Sequence, residues 1–255
     1  QPGDEIIVPD HSYQACWNAV DFVTERSGAK TVVVEIPFRV GSPQDVIDII
    51  MGAVTDRTVL ALIDTVTSPT GMRMPFEELT TQLQSRGVDV LLDAAHGPGI
   101  VPLNLSVLAP AYCTGNCHKW LCSPKGSAFL HIREDRKHLM HPLNISHGAS
   151  HEGGAQEKFE FEFAWPGTQD PSPWLCIPKA IEYLGGLVEG GWTEIMERNH
   201  ALAIEGRGII CEALETSPPF PDSMVSALAA VEMPKDGEVG AMSLEGDPFH
   251  NFLLD

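Results

Sequence analysis

Long apolar runs are missing from these 255 residues, and none approaches the 18 uninterrupted positions a membrane-crossing helix needs. The beginning has no basic stretch leading into an apolar run and a small-residue cleavage site, so nothing there argues for secretion. Basic side chains are scarce: 16 Lys and Arg against 35 Asp and Glu, a formal charge of −19. A surface this acidic repels nucleic acid and anionic lipid, and neither is expected as a partner. Cysteine is too sparse for a disulfide scaffold, with six in the chain. Cys113, Cys117 and Cys122 lie close together but without the paired spacing of a zinc knuckle. His138, His141, His147 and His151 lack the helical spacing of a zinc pair, so no metal site is expected. Reduced, partly buried thiols in a cytoplasmic protein fit this pattern. Internal repeats and low-complexity tracts are absent too.

What is present is apolar residue in quantity, 43% of the chain, enough to bury a large core. Strand and helix signals alternate. Residues 5–8 read as a strand closed by Pro9, and 13–26 as a helix ended by Gly28. Residues 31–36 form a β-branched strand stopped by Pro37. Ser42, Pro43 and Asp45 begin the next helix as cap, first-turn proline and first-turn acid. A strand at 59–63, a helix at 76–85 and a strand at 88–92 follow, with Asp93 at the last strand's carboxyl end. This rhythm predicts an α/β fold: a mostly parallel sheet with helices on both faces. Ligands of such sheets bind beyond the carboxyl ends of the strands. That directs attention to residues 63–71, 93–99 and the turn after Tyr112.

Later the rhythm changes. Residues 127–132 read as a strand and 144–158 as a polar loop. Residues 159–163, alternating Phe and Glu, read as a strand with one buried face. Helices are expected at 171–184 and 192–214, the second bridging to a smaller C-terminal α/β domain, which a strand at 225–233 would open. The implied division is a large domain over 1–190 and a bridging helix with an incomplete small domain over 191–255.

The densest polar group is Asp93 and His96, followed after a connection by His118 and Lys119. A strand-end carboxylate can ion-pair with a ring nitrogen. A partly desolvated lysine can form a Schiff base. A histidine beside either can donate to a phenolate or a phosphate. Together these are the parts pyridoxal phosphate requires. Spacing alone favours the plainer reading, Asp93 as a turn cap and Lys119 as a surface lysine. Ser68-Pro69-Thr70-Gly71 forms a tight turn at the same sheet edge, and Trp165-Pro166-Gly167-Thr168 offers a hydroxyl and amides to an anion. Trp17, Trp120, Trp174 and Trp192 read as core or interface residues.

The runs Leu92-Asp93-Ala94-Ala95-His96, Thr114-Gly115-Asn116-Cys117-His118-Lys119-Trp120 and Ser123-Pro124-Lys125-Gly126-Ser127-Ala128 resemble the class V aminotransferase family, pyridoxal-phosphate enzymes of fold type I. With the Pro166–Trp174 run (residues 166–174), they are most similar to its isopenicillin N epimerase branch, beside the cysteine desulfhydrases and other carbon–sulfur lyases. The resemblance implies that Lys119 holds the cofactor as a Schiff base and that Asp93 pairs with its pyridine nitrogen. It implies His96 and Ser68 near the phenolic oxygen, and Tyr13 stacked on the ring. His118 and Asn116 would lie near the phosphate, although many members have Ser or Thr where this chain has Asn116. Thr168 would reach the phosphate of a partner subunit, implying a homodimer with shared active sites. The family pattern also includes a leading phosphate-binding segment and a later arginine for the substrate carboxylate, and the chain starts and stops inside that pattern. The expected function is pyridoxal-phosphate chemistry at the α-carbon of an amino acid or aminoacyl side chain: epimerisation, elimination or transamination. The rival reading from another class is a truncated, non-catalytic paralogue.

Overall fold

A computed structural model describes residues 1–233. Its centre is a six-stranded sheet ordered β2-β1-β3-β4-β5-β6. The chain enters through β1 (Glu5–Pro9), α1 (Gln14–Ser27) and β2 (Lys30–Val34), then α2 (Pro43–Gly52) and β3 (Thr58–Asp64). Next come α3 (Phe76–Ser85), β4 (Asp89–Ala94), the single turn α4 (Leu105–Leu108), β5 (Tyr112–Asn116) and β6 (Ala128–Ile132). All pairings are parallel except β5 with β6, which is antiparallel.

Local sequence explains the element ends. Gly28 caps α1 at φ 74°, a left-handed conformation that costs glycine little. Ser42 and Asp45 form a reciprocal capping box at α2: the Ser42 side chain accepts from the Asp45 amide, and the Asp45 carboxylate accepts from the Ser42 amide at 2.9 Å. The apolar stripes of α2 and α3 supply Val46, Ile47, Ile50, Phe76, Leu79 and Leu83 to the main core. There they meet Ile7, Ala61, Ile63, Val90 and Leu92 from the strands.

Topology then places the site. The connection from β1 to β2 runs one way along the sheet, and those from β2 to β3 and β3 to β4 run the other. Right-handed crossovers therefore send α1 to one face and α2 and α3 to the opposite face. The divide falls between β1 and β3, and the carboxyl ends of the strands there are where ligands of such sheets bind. Side chains alternate along a strand, so Asp64 and Asp93, each following a core residue, turn away from α2 and α3 and toward α1.

The second half departs from the sequence expectation in four places. Residues 159–163 belong not to a strand but to α5 (Ala155–Ala164). Alternation yields a strand only where a neighbouring strand takes up its backbone groups. Here the Phe159 and Phe163 rings meet one helical turn apart, with centroids at 4.6 Å, and the buried residue is Glu162. The expected loop at 144–158 contains a short 3-10 turn, His147–Ser150, and the start of α5. The expected helix at 171–184 is two helices, α6 (Ser172–Leu175) and α7 (Ile177–Gly185), because Pro178 can only occupy the first turn of a new helix. After α8 (Gly191–Ala213), the expected strand at 225–233 is absent. That segment instead lies against the core through Val225, Ala227 and Leu228, and just before it the Met224 carbonyl accepts from the Arg73 amide at 2.8 Å. The rest of the expected small domain, from residue 234 on, lies outside the described residues.

Candidate active site

Two carboxylates stand side by side at the sheet edge, Asp64 at the end of β3 and Asp93 near the end of β4, in direct register. Both are nearly sealed, 3% and 5% exposed. Asp93 Oδ1 accepts from the Ala95 amide at 2.8 Å, and Oδ2 accepts from the Cys16 thiol at 3.4 Å. Asp64 Oδ2 accepts from the Ser12 hydroxyl at 2.7 Å. Ser12 lies in the turn after β1 and Cys16 in the first turn of α1, so that helix start forms the roof over both acids.

Burial, reinforced by the neighbouring Asp93 charge, pushes the Asp64 carboxyl up to about 8. The Ser12 hydrogen bond and the Lys119 charge act in the opposite direction with less weight. Burial and then Asp93 push the Cys16 thiol up to about 12, so it serves as a proton donor to Asp93 rather than as a thiolate nucleophile. Cys113 is pushed to about 12 for the same two reasons.

From the loop after β5, Lys119 reaches back over this pair. Its Nζ lies 3.2 Å from His96 Nε2, and the Trp120 indole N–H donates to His96 Nδ1 at 3.1 Å. Residues 23 and 24 positions apart thus meet because β4 and β5 are adjacent and parallel, which brings their carboxyl ends to the same edge. Burial first and the Lys119 charge second hold His96 below the ordinary imidazole value, with Asp93 opposing them.

The other residues singled out by the sequence make no hydrogen bonds to this cluster among the described residues. Tyr13 stands exposed at the N-cap of α1, and Ser68 is half-buried in the turn after β3. Asn116 ends β5, paired with Ala128. His118 donates through Nδ1 to the Ser127 carbonyl at 2.8 Å. Thr168 is exposed between α5 and α6. Sequence reasoning missed Ser12, Cys16 and Asp64, and read Trp120 as a core or interface residue. Asp64 had a signal, since it closes an apolar strand just as Asp93 does. The turn that approaches the site from β3 is also tied to the one from β1, His11 Nδ1 lying 3.0 Å from Thr70 Oγ1.

Among the described residues no group of three or more His, Cys, Asp or Glu side chains converges as a metal site. Likewise no helix there is long and apolar enough to cross a membrane.

A primary amine, an imidazole and buried carboxylates at the carboxyl edge of an α/β sheet define a class of lysine-centred sites. The particular family follows from comparison with known proteins. The aminotransferase class-V family model matches residues 1–216, and the chain belongs to that family. It is 32% identical to a putative L-cysteine desulfhydrase 1 of Oryza sativa subsp. japonica, over 96% of this chain and 50% of that protein. It is 31% identical to an isopenicillin N epimerase of Amycolatopsis lactamdurans, over 91% of this chain and 61% of that protein. The chain thus spans between half and three-fifths of the length of these relatives. Among solved structures, the apo cysteine desulfurase of Thermococcus onnurineus NA1 superposes with a TM-score of 0.70 at 18% identity, covering 89% of this chain and 56% of that one. The cystine C–S lyase C-DES superposes with a TM-score of 0.69 at 22% identity, covering 84% and 57%. These structural likenesses establish the α/β fold with its mostly parallel sheet.

Proposed function

We propose that this chain carries the cofactor-binding site of a pyridoxal-phosphate enzyme that removes the α-proton of an amino acid or aminoacyl substrate. The observation that carries the reading is the Lys119–His96 contact set beside Asp93. The donor set fits the cofactor chemically. A primary amine meets an aldehyde, a buried carboxylate meets a pyridine nitrogen, and an imidazole meets a ring hydroxyl. When bound, the cofactor supplies an electron sink that acidifies the substrate Cα–H bond.

The chain's own residues supply the rest. Lys119 would hold the cofactor's aldehyde carbon and, as a free amine, would take the substrate's Cα proton on Nζ. Asp93, oriented by the Ala95 amide and the Cys16 thiol, would keep the ring nitrogen protonated. Asp64, held as a neutral acid, adds no second negative charge beside it. The roof formed by Ser12 and Cys16 shields both acids from water. His96 and Ser68 would address the ring hydroxyl, Tyr13 the ring face, and His118 and Asn116 the phosphate.

Desulfhydrase and epimerase relatives match at nearly equal identity. Both epimerisation and elimination begin by breaking Cα–H, so that common step is the one assigned to the site. Isopenicillin N epimerase-like chemistry is the first reading for the step that follows, with carbon–sulfur elimination from a cysteine-type substrate as the second. Thr168, exposed between α5 and α6, fits a role in the phosphate site of a second subunit of a homodimer.

Borohydride reduction of the protein loaded with pyridoxal phosphate tests the assignment. The cofactor should be fixed to the peptide bearing Lys119, and Lys119→Ala should lose the label. Label on another lysine, such as Lys125, refutes the reading.

A further inference from the structure

Trp120 enters the site through its indole nitrogen. The Nε1–H points at His96 Nδ1, and the opposite nitrogen of the same imidazole faces Lys119 Nζ. An indole nitrogen is a donor only. The nitrogen it faces must therefore accept, and an uncharged imidazole then carries its single proton on Nε2. Flipping the ring would put carbons in place of both nitrogens and lose both contacts, so the two partners together select this orientation. The two rings meet edge-on, at 60° with centroids 6.5 Å apart. Gly99, at φ 94°, lets the loop after β4 close on Trp120, for a Cβ there would lie 2.9 Å from the Trp120 carbonyl oxygen.

We infer that Trp120 is a positioning residue, holding His96 as a neutral imidazole that presents its Nε2–H to Lys119. The tautomer follows from the geometry alone; its consequence for the cofactor rests on the function proposed above. Protonating Nδ1 would set one N–H against another, so the indole opposes formation of an imidazolium. The charged groups that face His96 are Lys119 and Asp93. Burial and the Lys119 charge, when that amine is protonated, act in the same direction as Trp120, and Asp93 acts against it. The Nε2–H finds an acceptor in Lys119 Nζ whenever that nitrogen carries a lone pair, the form in which lysine is a nucleophile. His96 can then donate beside the lysine without placing a second positive charge there.

The test is nitrogen NMR on the full chain labelled with 15N-histidine, with a His96→Gln protein identifying the His96 signals by subtraction. Without cofactor, His96 should carry its proton on Nε2. Two changes remove the indole donor: Trp120→Phe, and replacement of Trp120 by 3-benzothienylalanine, which keeps the ring volume and lacks only the N–H. Both should raise the His96 titration midpoint by about one pH unit, the tenfold change expected from one hydrogen bond. An unchanged midpoint in the benzothienylalanine protein, or a His96 proton on Nδ1, overturns the inference. If borohydride labels a lysine other than Lys119 while the His96 midpoint still rises, the cofactor reading fails and the Trp120 assignment stands.

Discussion

The sheet region, through β6, and the helical region that follows it are held together by different forces. In the first, α2 and α3 press their apolar stripes onto the strands, and side chains such as Ile7, Ile63, Phe76 and Leu92 are almost fully sealed. In the second, helices α5 to α8 fully bury only Glu162, Arg207 and Cys211 among their own side chains. Two of those three are charged, and each is tethered by a polar partner. His141 Nδ1 sits 2.8 Å from Glu162 Oε2. Arg207 donates to the Phe220 carbonyl at 2.9 Å and to the Asp222 carboxylate. Meanwhile Tyr183, Leu187, Leu202 and Ile209 remain exposed. The lesson is that rigidity and chemistry coincide. Every residue of the central cluster stands on the sheet region, where close packing can hold side chains to the few tenths of an ångström that proton transfer requires.

The largest effect should come from breaking the first region's core. Phe76→Ala removes a fully buried ring between α3 and the sheet and should cost about 3–5 kcal/mol. A urea midpoint that barely moves would break the contrast between the regions.

Arg207→Met should cost less, about 1–3 kcal/mol, by leaving the Phe220 carbonyl without its donor. The loss should be local, with amide exchange accelerating around residues 216–225 while β4 stays protected. Equal acceleration in β4 would show that the two regions unfold as one unit.

Asp64 sharpens the comparison through pH. Its folded pKa of about 8 lies above the ordinary carboxylate value, so the folded protein binds a proton the unfolded chain releases. The stability this contributes is complete below about pH 4 and is lost as pH rises through about 8. Asp64→Asn, neutral at every pH, should flatten the fall in urea midpoint between pH 5 and pH 8. Parallel pH profiles for the two proteins would contradict the buried neutral acid.

The smallest effect belongs to the exposed helical face. Ile209→Gln, on the open side of α8, should change stability by no more than about 0.5 kcal/mol. A loss comparable with that of Phe76→Ala would mean that this face is covered in the protein in solution.

Legibility in the sequence follows the same division. The strands and helices of residues 5–92 were readable almost to the residue because their signals are local. Ser42 with Asp45 caps α2, Gly28 ends α1, and β-branched runs sit at strand spacing. The alternating phenylalanines of α5 misled because the same spacing serves a strand that has a neighbour or a helix that has none. Within the site, Asp93, His96 and Lys119 were legible from their motif. The contact of Asp64 with Ser12 was not, since it joins the ends of β1 and β3, 52 positions apart.

By itself, then, the sequence determined the alternation of strand and helix, the carboxyl edge where chemistry belongs, and the lysine, histidine and carboxylate that resemble those of the family. These rest on backbone periodicity, caps and residue type, all properties of short segments. Only the tertiary structure decided that a second carboxylate would lie beside Asp93 and be kept neutral, that a thiol would donate to it, and that an indole would choose the proton position on His96. Those facts depend on which strand ends become neighbours and how much water is left between them, and burial and hydrogen-bond polarity are set only once distant segments have packed.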